Sequence, residues 1–193
     1  MSSETRARVL IAEDDAIIRL DLRALLEANR LEVCGEARDG VEAVELASSL
    51  EPDVIVMDVR MPRLDGIEAA ARILAARSVP IVMLTGFGED DLVERAVGAG
   101  VFGFLSKPFH EDDLIPALRT ASARHAEFAE LKLQTMSLYE ALEARKIIER
   151  AKGILMVKEA LSEDEAFARL RRASQRSGRP MKIIAEAVIA TLG

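Results

Sequence analysis

Five times within the first 110 residues a short apolar run gives way to an amphipathic stretch, and this alternation restricts the chain more than any other feature. The runs lie at 9–12, 32–36, 54–57, 80–84 and 102–105. Four of them are almost continuously apolar, as strands covered on both faces must be. Between them, sets such as Ile17-Leu22-Leu25-Leu26, Val41-Val44-Leu46-Ala47, Ile67-Ala70-Ile73-Leu74 and Leu92-Val93-Ala96-Val97 repeat at helical spacing. Strand and helix in strict alternation predict an α/β fold, a doubly wound five-stranded parallel sheet with helices on both faces.

The last helix of the series starts near Asp112 and meets no stop before Gly153; Pro116 falls in its first turn, where a missing N–H is harmless. Within it Phe128, Leu131, Thr135, Leu138 and Leu142 are spaced 3, 4, 3, 4, the pattern of a coiled-coil seam or of a stripe packed on its own chain. Beyond it the strand signals end. Residues 145–161 are helical in pattern, and Ser162 to Glu165 forms a capping box for a second helix carrying Ala166, Phe167, Leu170 and Ala173 as core. Gly178 stops that helix, and Pro180 opens a third with Ile183, Ile184, Ala187, Val188 and Leu192. The expected division is therefore 8–125, a helical linker over 126–144, and a small three-helix all-α domain over 145–193.

Charge divides near the same place. Residues 1–144 hold 15 Lys/Arg against 27 Asp/Glu, a net −12, and residues 145–193 hold 11 against 6, a net +5; together they make the overall −7. The start of the chain has no apolar signal-peptide core and no run approaches the roughly 18 apolar residues of a membrane span, so a cytoplasmic protein with no membrane partner is expected. Cys34, the single cysteine, excludes an internal disulfide and reads as a small core residue; His110 and His125 have no partners at metal-ligand spacing. The GxGxxG string at 98–103 follows a helix and precedes a strand, the reverse of a dinucleotide fingerprint, and reads as a helix stop with a tight loop.

In open α/β sheets the site lies beyond the carboxyl ends of the strands. Those ends carry Glu13, Asp14 and Asp15 after the first strand, Asp58 after the third, Thr85 after the fourth and Lys107 after the fifth. Clustered carboxylates repel one another unless a cation is present, and a shallow all-oxygen pocket suits Mg²⁺ better than Zn²⁺. Asp58 stands central among them as the nucleophile for a phosphoryl group, with the Thr85 hydroxyl and the Lys107 ammonium each able to take a phosphoryl oxygen.

The segments LIAEDDAIIR at 10–19, DVIVMDVRMPRLDG at 53–66, MLTGF at 83–87 and FLSKPF at 104–109 resemble, in order and spacing, the receiver domain of two-component response regulators, a flavodoxin-like fold. The resemblance implies that Asp58 is the phosphoacceptor. It implies too that Glu13 and Asp14 hold Mg²⁺ with Asp58 and the backbone carbonyl of Arg60, and that Thr85, Lys107 and the aromatic Phe104 form the switch set. Arg19, five residues past Asp14, sets the register and leaves Asp15 outside the acidic pair. The phosphodonor implied is a sensor histidine kinase, and the chain would be a signalling switch whose only chemistry is its own phosphorylation and dephosphorylation.

Basic residues of the tail fall on helix faces: Lys146 with Arg150, Arg145 with Lys152, and Arg169, Arg172 and Arg176 in a 3, 4 stripe, an arrangement suited to phosphates. The segments ARKIIERAKGILM at 144–156 and SEDEAFARLRRASQRSGRPMKIIAEAV downstream resemble the ANTAR domain of antitermination regulators. That resemblance implies binding of leader RNA hairpins by a phosphorylation-dependent homodimer, with transcription antitermination as the output. Two other outputs fit a basic three-helix tail, a helix-turn-helix-like DNA-binding domain and a protein-interaction module.

Overall fold

The computed structural model describes residues 6–86 and 95–193. Its strands are β1 (Arg8–Ala12), β2 (Glu32–Ala37), β3 (Val54–Asp58), β4 (Ile81–Thr85) and β5 (Gly103–Ser106), all parallel, in the order β2-β1-β3-β4-β5. This is the expected doubly wound sheet, with β1, β2 and β3 each one residue longer and β4 and β5 each one residue later than the sequence suggests. The order reverses between β1 and β3, so their carboxyl ends flank the crevice where such sheets place a site.

Alternate residues of the strands feed two cores. Leu10, Ala12, Ile55, Met57, Ile81 and Met83 face α2 (Gly40–Leu50) and α3 (Gly66–Ala76). Val9, Ile11, Val54, Val56, Val82 and Leu84 face Leu22 and Leu26 of α1 (Ala16–Ala28), together with Leu114, Leu118 and Ala121 at the start of a long helix, α4 (Glu111–Glu159). β3 and β4 are buried at every position, which is why their sequences show no alternation. Of the fourth amphipathic set, Leu92 and Val93 lie outside the described residues, as does Phe87 of the MLTGF segment; residues 95–98 are helical and Ala96 is in the core. Gly100 follows with φ 92°, the tight turn expected of the GxGxxG string.

Each of α1, α2 and α3 begins at an aspartate that accepts backbone N–H groups: Asp15 from Ile17 and Ile18, Asp39 from Val41 and Glu42, Asp65 from Glu68. Gly40 and Gly66, the first residues of α2 and α3, sit where backbone crosses backbone. A β-carbon at Gly40 would lie 2.2 Å from the Leu64 carbonyl oxygen, and one at Gly66 would lie 1.9 Å from that of Asp58.

The contacts divide the chain into compact units at 1–128 and 129–193. In the second, α4 runs through Gly153, and Ala160 takes a left-handed conformation just beyond its end. α5 (Glu163–Ser177) starts at Ser162 with a complete capping box and stops at Gly178, φ 65°; α6 (Met181–Leu192) follows Pro180. Ala151, Leu155, Ala166, Leu170 and Ala185 form the core of this unit. No helix among the described residues is long and apolar enough to cross a membrane.

Candidate functional site

The ends of β1 and β3 bring Glu13, Asp14 and Asp58 together, with one carboxylate oxygen of each inside 4.8 Å of the others. Glu13 and Asp58 are buried and Asp14 is exposed, so the cluster opens to solvent on one side. Lys107, just past β5, crosses the sheet edge to join the two buried acids, its Nζ 2.7 Å from Glu13 Oε2 and 2.9 Å from Asp58 Oδ1. The turn that carries it is tied back to β4, Lys107 N donating to the Thr85 carbonyl at 2.7 Å, and the Lys107–Pro108 peptide is cis. Asp15 is not part of the cluster, because its carboxylate caps α1.

Burial pushes the Asp58 carboxyl above the ordinary carboxylate range in spite of the Lys107 ammonium, and the Asp14 charge adds to the rise. Burial likewise raises Glu13, opposed by Lys107 and reinforced by Asp58. For Lys107 burial works against the charge, but its bonds to Asp58 and Glu13 prevail and hold it above its usual value. One ammonium for three carboxylates leaves an excess of negative charge, and every donor is a hard oxygen. That set fits a divalent ion of the Mg²⁺ type and not one that prefers nitrogen or sulfur.

Thr85 ends β4 in a buried position beside the strand that ends in Asp58. Phe104 lies on β5, opposite Met83, half-buried against the core on the α2/α3 face. Arg60 is exposed, and it lines, with Asp14, Val59, Met61, Pro62, Asp65, Ile67 and Arg95, a cleft of about 500 Å³ on the open side of the cluster. Two supports were not evident in the sequence. Arg63 pairs with Asp39, tying the loop after β3 to the start of α2. Arg19 reaches the backbone of Glu13 and Asp14 while holding Glu36. The Asp-Gly at 39–40 and at 65–66 were the visible signals of caps; the ion pairs depend on strand register, which spacing along the chain does not reveal.

Residues 9–119 match the profile of the response regulator receiver domain. The chain belongs to the response regulator receiver family. Residues 137–189 of this response regulator also match the ANTAR domain. A transcriptional regulatory protein of Mycobacterium tuberculosis, PdtaR, is 50% identical over 186 residues, 96% of this chain and 91% of its own. Among solved structures, the receiver domain of a modulated diguanylate cyclase from Desulfovibrio desulfuricans superposes with a TM-score of 0.59 at 33% identity, covering 63% of this chain and 98% of that one. The chemotaxis protein CheY4 of Vibrio cholerae superposes at 0.57 with 31% identity, over 60% and 98%.

In the ANTAR part of this response regulator, Arg145, Lys146, Arg150, Arg169, Arg172 and Arg176 are exposed. Lys146 pairs with Glu143, and Arg169 with Glu159. Lys152 differs: it is buried, its ammonium 2.9 Å from Glu149 and 2.7 Å from Glu163, and it stands 6.0 Å from the centre of the Phe167 ring. Phe167, expected in the core, is 41% exposed, because Ala166 and Leu170 take the inward positions of α5. The stripe on α4 is open as well, with Phe128, Leu131, Leu138 and Leu142 between 50% and 72% exposed.

Proposed function

We propose that this response regulator receives a phosphoryl group on Asp58 from a sensor histidine kinase and answers by binding RNA hairpins as a dimer to prevent transcription termination. The observation that carries the first half is the Lys107 ammonium shared by Glu13 and Asp58 at the switch point of the sheet. In the transfer an Asp58 oxygen bonds to phosphorus as the bond from phosphorus to the donor imidazole breaks, leaving an aspartyl phosphate and a free histidine. Mg²⁺, held by Glu13, Asp14, Asp58 and the Arg60 carbonyl, would supply the positive charge that the phosphoryl oxygens need. Lys107 then turns from the carboxylate to a phosphoryl oxygen, and the Thr85 hydroxyl donates to another. Movement of Thr85 with Phe104 on the neighbouring strand is the switch that reports phosphorylation.

The output reading rests on the ANTAR match together with the exposed cations. Receiver, linker and ANTAR domain occupy 8–125, 126–144 and 145–193. Arg145, Lys146, Arg150, Arg169, Arg172 and Arg176 contact RNA phosphates, and the exposed ring of Phe167 offers a stacking face to an unpaired base. Lys152, neutralised by Glu149 and Glu163, serves by holding that ring and the start of α5. A second copy of the chain covers the stripe on α4. With Phe128 and Leu131 as seam positions, Glu127 of one helix meets Lys132 of the other in a parallel pair, a favourable charge match.

The test is Mg²⁺-dependent labelling of Asp58 by a small acyl phosphate, followed by hairpin binding and sedimentation of the labelled chain. Phosphorylated protein should dimerise and bind leader hairpins more tightly than the Asp58→Ala form. Unchanged labelling in Asp58→Asn would reject the phosphoacceptor. A preference for duplex DNA at matched salt would reject the RNA output, and capture of a protein partner with no RNA affinity would make the tail an interaction module.

A further inference from the structure

We infer that Arg19 is the positioning residue of the acidic pocket, holding the two backbone carbonyls of Glu13 and Asp14 so that the pocket binds a divalent cation. The inference rests on the reading of Glu13, Asp14 and Asp58 as a cation site.

Residues 13 and 14 leave the sheet before α1 begins, so their carbonyls belong to neither ladder and need partners from elsewhere. Arg19, in the second turn of α1, supplies them. Its Nη1 donates to the Glu13 carbonyl at 2.7 Å and to the Asp14 carbonyl at 3.3 Å. The same guanidinium donates through Nε to Glu36 Oε2 at 3.2 Å, and the side chain is only 12% exposed. Glu36 is itself steadied by Arg23 on its other oxygen. The guanidinium therefore spans two peptide groups and a strand side chain at once, which its planar fork can do and a lysine ammonium can do only in part. Fixing those carbonyls fixes the peptide planes from which the Glu13 and Asp14 side chains leave toward Asp58. The Glu13 N–H, bonded to the Ala37 carbonyl at 3.1 Å, holds the other end.

Charge and positioning predict opposite results. Arg19 is a cation near a pocket for a cation, so by Coulomb's law alone its removal would tighten divalent binding. If its work is to orient ligands, removal weakens binding, by the factor of about 10 to 100 typical of groups that hold metal ligands in place.

The experiment is calorimetric titration of the full chain with MgCl₂, with thermal melts as a control on folding. Arg19→Met should raise the Mg²⁺ Kd at least about tenfold. Arg19→Lys should recover part of the loss, and Glu36→Gln, which frees the guanidinium from outside, should raise Kd by a smaller factor. Equal or tighter binding by Arg19→Met overturns the inference. Should Arg19→Met fail to fold, a wild-type Kd in both Arg19→Lys and Glu36→Gln overturns it instead. If wild type and Asp58→Asn bind Mg²⁺ alike, the cation-site reading itself fails. If they differ while Arg19→Met matches wild type, only the role of Arg19 fails.

Discussion

Replacing Asp58 by asparagine should stabilise the metal-free receiver at pH 7, although it removes a buried ion pair. At an effective dielectric of about 20, Lys107 at 2.9 Å attracts Asp58 by about 6 kcal/mol. Glu13, with an oxygen inside 4.8 Å, repels it by at least about 3.5 kcal/mol at the same dielectric. Asp14 adds a smaller repulsion because water screens it. These Coulomb contributions come close to cancelling, which leaves the cost of desolvating the Asp58 carboxylate without compensation. The raised Asp58 carboxyl carries the same sign: its surroundings disfavour the charge. Stability tied to Asp58 is then present at acid pH, below the ordinary carboxylate range, and is lost as pH rises through its raised value. The asparagine form escapes that loss. A gain of about 1–2 kcal/mol is expected, a partial relief of the cost of desolvating a buried charged group, and it should lift the receiver melting temperature by about 3–6 °C. The assay is thermal denaturation in EDTA and again in MgCl₂. Mg²⁺ should stabilise wild type more than Asp58→Asn and narrow or reverse the gap. An asparagine form that melts below wild type in EDTA would refute the reasoning.

Lys107→Met should destabilise the receiver by about 3 kcal/mol at pH 7, because Glu13 and Asp58 then face each other without a cation; urea midpoints should recover toward wild type on acidification as those acids protonate. Asp39 is held below the usual carboxylate range, since N–H groups of Glu42 and Val41 and the Arg63 guanidinium outweigh its burial. Its contribution is therefore present above pH 4 and lost as pH falls through its lowered value, so Asp39→Ala should cost about 1–2 kcal/mol at neutral pH. That cost should disappear in strong acid, as read from urea midpoints across pH. Leu155, 1% exposed in the second unit, should on truncation to alanine cost about 3 kcal/mol. Hairpin binding should fall while labelling of Asp58 persists.

The sheet was legible because β3 and β4 are buried on both faces and so read as unbroken apolar runs. The edges were less so: β2 and β5 have half-exposed positions and lack the fully buried run of the central strands. The acidic cluster was readable because a parallel sheet sends every strand end to one edge. What covers or binds each side chain was not. Lys152 and Arg150 look alike in sequence, yet a two-residue step around α4 buries one between two carboxylates and leaves the other in solvent. Arg19 and Glu36 are 17 residues apart and meet only because β2 lies beside β1.

Gly40 and Gly66 limit how this sequence can vary. Neither has the positive φ that usually reserves a position for glycine, so torsion alone would admit any residue. Space does not, because a carbonyl oxygen, that of Asp58 itself for Gly66, occupies the volume of the first side-chain atom. In a library of random variants these two positions should therefore emerge as glycine-only, and backbone strain would be the wrong explanation. The peptide that carries Asp58 would be intolerant of change at a residue eight positions away.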